Sequence, residues 1–168
     1  MPVLRHIQGL QLRSERTSIK YNTFRTDLFM IHESELMIND IVEYTNQGVA
    51  CYCRIASIGK GMVLLRTLKG KGEYVAKLED IRPVTLMPVM LEKNGFDISD
   101  GEVARYTFEE DGQRFHFSLR RMYNKNDGKP NGYSFFVCGV LTIFDYVHEV
   151  QRALRTTKLR ELADIFII

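Results

Sequence analysis

The sequence predicts a β-rich α+β protein: a small SH3-like barrel, a linking helix, then a twisted antiparallel sheet with a C-terminal helix packed on it. Three observations carry this reading. Between residues 38 and 82, short apolar runs recur at near-regular spacing and are separated by glycine turns. Pro88 and Gly95 then bracket one short helical stretch. Beyond it, alternating runs meet at Asp111-Gly112 and are followed by a segment of helical period.

Each element follows from its residues. Ile38-Asn39-Asp40-Ile41-Val42-Glu43-Tyr44 enters the first strand, and Asn46-Gln47-Gly48 turns it. Residues 51–58 alternate as a second strand, turned by Gly59-Lys60-Gly61. Residues 62–68, rich in Val and Leu, form the third, turned by Lys69-Gly70-Lys71-Gly72. Residues 74–78 form the fourth, and Asp80-Ile81-Arg82 closes the set. In the linking helix, Pro88 suits the first turn because it needs no donor there, and Met87, Met90 and Leu91 give the apolar side. Asn94-Gly95 fits a left-handed stop.

In the second unit, residues 103–109 and 114–123 alternate as a hairpin, and residues 124–132 form a loop. Residues 133–140 read as a buried strand that 141–144 extends or follows. Asp145 is expected to cap the final helix, with Val147, Val150 and Leu154 at helical spacing. The apolar tail Ile165-Phe166-Ile167-Ile168 is expected to pack or to contact a partner. Ile41, Val63, Leu65, Ile81, Leu91 and Phe96 are the expected core. The organisation is therefore 1–34, an arm or added strands rich in Arg, Ser and Thr, 35–83, the barrel, and 84–168, the helix, sheet and final helix. Met30 is an alternative start.

Composition narrows the class. With 45% hydrophobic and 26% charged residues, the 168-residue chain can bury a core as one domain or two small ones. A net charge of +2 is too small to require a polyanionic partner. Cys51, Cys53 and Cys138 are an odd set without a disulfide-like framework, which fits a reducing cytoplasm. Cys51 and Cys53 share one strand face as small apolar residues, and no further ligand lies near them in sequence to make a metal site. The start has no sustained apolar run of a secretory leader, and the stretch around 135–144 falls far short of the about 20 residues of a membrane span.

Three motifs resemble one family. Glu35-Leu36-Met37-Ile38-Asn39-Asp40-Ile41-Val42 is similar to the opening E-L-x-I-G-x-x-V of small uncharacterised proteins encoded by Bacteroidetes, their prophages and their phages. Asp80-Ile81-Arg82-Pro83 with Leu86, Pro88, Leu91 and Lys93-Asn94-Gly95-Phe96 resembles their I-x-P-I-P-L-T-x-x-x-L-x-K-N-G-F. Tyr146-Val147-His148-Glu149-Val150-Gln151 resembles their Y-V-H-x-L-Q. The likeness runs from about residue 35 to 155. It departs at Asp40, where glycine is usual, and at Met87, where threonine is usual. It implies a phage or mobile-element origin and no particular activity.

Chemistry is sparse. His148-Glu149 lacks the second histidine of a zinc helix, since position 152 is Arg. His148 is expected to pack between helix and sheet with one nitrogen bonded. A catalytic alternative would pair His148 with His116, and with a carboxylate such as Glu109 or Asp145, in a cleft. The Gly-Lys-Gly turns lack the phosphate-loop pattern. The basic residues fall into three groups: Lys60, Arg66, Lys69 and Lys71 on the barrel loops; Arg120, Arg121, Lys125 and Lys129 around a loop edged by Tyr123 and Tyr133; and Arg152, Arg155 and Lys158 at three-residue steps on the final helix. Cations mixed with aromatic faces suit nucleic acid, and the same residues suit a solvated surface. The expected function is thus a non-catalytic accessory protein without cofactor or metal, binding a host protein. DNA or RNA binding through the basic loops is the alternative, and a small His116/His148 enzyme is third.

Overall fold

The computed structural model describes residues 31–137 and 140–168. Most of the expected arm, and Cys138, lie outside the described residues. The chain is α+β and strand-rich, with two antiparallel sheets.

The first sheet contains β1 (Ile41–Asn46), β2 (Val49–Gly59), β3 (Met62–Thr67), β4 (Glu73–Lys77) and β5 (Ile81–Pro83), in the order β4-β3-β2-β1-β5. The glycine turns lie where the sequence puts them. At Gln47-Gly48 both residues have positive φ, 49° and 82°, the left-handed pair that a two-residue hairpin demands. Alternation on β2 and β3 sends Cys53, Ile55, Val63 and Leu65 to one face, where they meet Val42, Ala76, Ile81, Ile31 and Leu36. The expected closed barrel is not what these ladders make. A 3₁₀ turn at Leu78–Asp80 redirects the chain after β4, and the three residues of β5 pair with β1. Among the described residues no ladder joins β4 to β5, and the sheet stays open.

Helix α1 (Pro88–Lys93) begins with Pro88 in its first turn, and Gly95 beyond its end has φ 82°. The second sheet contains β6 (Val103–Glu110), β7 (Gln113–Tyr123), β8 (Pro130–Val137) and β9 (Val140–Phe144), paired in chain order. Phe117 stacks on Phe135 at 4.6 Å and meets Phe96 edge-on at 6.2 Å, so the rings tie sheet to linker. All six expected core residues are buried.

The C-terminus differs from the single helix read from the sequence. Helix α2 (Val147–Arg155) is followed by a second, α3 (Arg160–Ile165). The break follows Thr156 and Thr157, whose hydroxyls donate back to the Ala153 and Leu154 carbonyls and satisfy the end of α2. The N-cap of α2 is Tyr146, not Asp145. The Glu149 carboxylate accepts the backbone N–H groups of Asp145 and Tyr146 at 2.7 and 2.9 Å. In the tail, Phe166 is fully buried and Ile165 and Ile167 are exposed.

Strand β1 belongs to both halves. Val42 lies in the first core, whereas Ile41 lies in the second with Leu91, Phe117, Val147 and Leu154. Neighbouring residues on a strand point to opposite faces, so one strand is wall to two cores.

Candidate functional site

The clearest departure from the expected pattern is β9. The sequence reads 133–140 as one buried strand, yet the segment folds back on itself. In the β8/β9 hairpin Phe136 pairs with Leu141 and Ser134 with Ile143. Alternation places Ser134, Phe136, Leu141 and Ile143 on one face, opposite the core-facing Tyr133, Phe135 and Phe144. Phe136 is 68% exposed, Val140 60%, Leu141 56% and Ile143 50%. Among the described residues β9 forms the edge of its sheet, and it contains no charged residue. Soluble proteins usually protect such an edge with charge, a bulge or a cover.

The basic groups are scattered, and some are engaged by partners. Arg66 pairs with Glu73, and Arg120 lies 3.9 Å from Glu102. Lys60, Lys69 and Lys71 are exposed around the turns of the first sheet. Tyr123, Lys125 and Lys129 are exposed at and beyond the end of β7, with the Arg121 guanidinium 5.9 Å from the Tyr123 ring centre. On α2 the expected basic stripe does not exist. Arg152 donates to the Glu35 carbonyl, and Lys158 lies beyond α2 and pairs with Glu110.

Arg155 is the main correction. Its side chain is 6% exposed and forms a buried ion pair with Asp40, with Asp164 3.2 Å from its Nε. Beside it Gln151, fully buried, accepts the Ile41 N–H and donates to the Asn39 and Ala163 carbonyls. Arg54 donates to the carbonyls of Asn39 and Phe166. This network joins β1 and β2 to both terminal helices. Burial pushes the Asp40 carboxyl above its ordinary range, and the Arg155 guanidinium opposes that rise. No spacing rule links residues 115 positions apart. The only sequence signal was Asp40 itself, a carboxylate beside apolar Ile41 and Val42.

The two histidines do not form a site. His116 on β7 is exposed and hydrogen-bonds Thr107 at 2.9 Å. His148 is buried in the first turn of α2 and stacks near Tyr146 at 5.9 Å. Its burial matches the expectation, and its Nδ1 has no hydrogen-bond partner among the described residues. Burial holds the imidazole down at about 4, with Arg152 adding to the effect and Glu35 opposing it.

Cys51 and Cys53 have Sγ atoms 3.7 Å apart as free thiols, and burial pushes Cys53 up to about 12. Among the described residues no three His, Cys, Asp or Glu side chains gather as a metal site, and no helix is long and apolar enough to cross a membrane. Compared with protein-family models, curated proteins and solved structures, the chain matches none.

Proposed function

We propose that this chain is a non-catalytic accessory protein of a phage or mobile element, acting in the cytoplasm by binding a host protein along β9. The observation that carries the reading is the uncharged edge strand with Phe136, Leu141 and Ile143 exposed on one face. An extended partner segment would add a strand there. Main-chain hydrogen bonds would supply affinity, and the apolar face would select alternate side chains. The resemblance at residues 35–155 supports the origin. A four-strand meander whose fifth strand returns beside the first supports an SH3-like reading of the first sheet as an open relative of that barrel.

The test is recovery of the tagged protein from host cells, comparing wild type with the double variant Leu141→Lys/Ile143→Lys by quantitative mass spectrometry. Wild type should enrich a protein that the variant loses while circular dichroism stays unchanged. Equal recovery by both, or no enriched protein with wild type, defeats the reading. Nucleic-acid binding has the exposed Tyr123, Lys125 and Lys129 in its favour, and it requires salt-sensitive retention of DNA or RNA that weakens when both lysines are replaced.

A further inference from the structure

A cleft of about 330 Å³ opens where the linking segment crosses the second sheet. Its walls are stitched together. The Leu86 N–H donates to the Asp145 carbonyl and the Val147 N–H to the Val84 carbonyl, each at 2.9 Å, and Thr85 bridges Tyr146. Gly132 lets the walls approach. Its φ is +76°, and a Cβ there would lie 2.7 Å from the Phe144 carbonyl oxygen and press on Asp145 Oδ1.

Arg121 and Tyr133 line this cleft and also a smaller adjoining cavity of about 40 Å³. Arg121 is half-buried, and its guanidinium donates to no acceptor among the described residues. The other half-buried arginines differ: Arg155 reaches carboxylates, and Arg54, Arg82 and Arg152 reach carbonyls. Tyr133 is buried, and its hydroxyl likewise has no hydrogen-bond partner among the described residues. Arg121 and Tyr133 pair directly across β7 and β8, so their side chains leave the same face of the sheet. Burial raises the Tyr133 phenol, and the Arg121 charge opposes that rise. The planar fork of donors on a guanidinium matches an oxyanion.

We propose that this cleft binds a small oxyanion, a carboxylate or phosphate group carried by a small molecule, with Arg121 as the clamp and the Tyr133 hydroxyl as second donor. The volume is at the low end for ligand pockets. A compact ligand with one anionic end suits that volume and a single guanidinium clamp.

The test uses the full chain, with amide NMR titrations against inorganic phosphate and, separately, malonate, at ionic strength held constant with chloride. Saturable shifts clustered at residues 85–88, 121, 130–133 and 145–146 are expected with at least one probe, and which probe saturates identifies a phosphate or a carboxylate ligand. Arg121→Gln should weaken that binding by about tenfold or more, and Tyr133→Phe by a few-fold. If Arg121→Gln fails to fold by circular dichroism, Arg121→Lys and Tyr133→Phe decide. No saturable shift with either probe, or affinity unchanged in the folded variants, overturns the proposal. The Leu141→Lys/Ile143→Lys protein should bind the anion like wild type, which separates this result from the fate of the β9 reading.

Discussion

Acidification should destabilise this protein through His148. The imidazole is held at about 4 in the fold against an ordinary 6.5, chiefly by burial. The unfolded chain therefore binds a proton that the native state refuses between those values. The contribution of His148 to stability is complete above the unfolded value and is lost as pH falls toward the folded one. At about 1.4 kcal/mol per tenfold, the full loss is about 3 kcal/mol. Asp40 has the opposite sign, because its raised carboxyl makes protonation on acidification favour the fold. A comparison with His148→Phe isolates the histidine, since Asp40 is common to both proteins and an aromatic ring is kept beside Tyr146. Urea unfolding of both proteins at about pH 7, 6, 5 and 4 is the assay. Wild type should lose more stability than the variant, most of it below about pH 6.5. Parallel pH profiles would refute the reasoning, because the imidazole would then titrate alike in both states.

Two further outcomes concern packing and the buried pair. Leu91→Ala should cost about 2–5 kcal/mol in denaturant unfolding, because a fully buried side chain leaves a cavity between α1 and the second sheet; a loss near zero would mean that the core closes over the gap. Arg155→Met strands the fully buried Asp40 carboxylate and should cost about 3–5 kcal/mol, whereas Asp40→Leu/Arg155→Met should cost less than the two single changes added together. Strictly additive losses would show that the two groups do not interact.

The sequence by itself determined the local structure. Turn chemistry at Gln47-Gly48 and Asp111-Gly112 set the hairpins, because left-handed backbone admits few residues. Alternation placed Val63 and Leu65 inside, and Pro88 and Gly95 bracketed α1. These signals act within a few residues, so they can be read along the chain.

What only the tertiary structure decided depends on which element comes to lie beside which. Helix α2 docks against β1, and so Arg155 is a buried partner of Asp40 where spacing alone made it a surface cation. Strand β5 pairs with β1, which leaves the first sheet open where regular strand spacing suggested closure. Arg121 lines a cleft because residues 84–86 are stitched to 145–147. Leu141 and Ile143 are as apolar as core residues, yet they are exposed because they lie on the sheet face turned away from the core, which no element among the described residues covers. Hydrophobicity fixes how much a side chain gains from burial, but whether it is buried is decided by neighbours remote in sequence, whose approach no local pattern records.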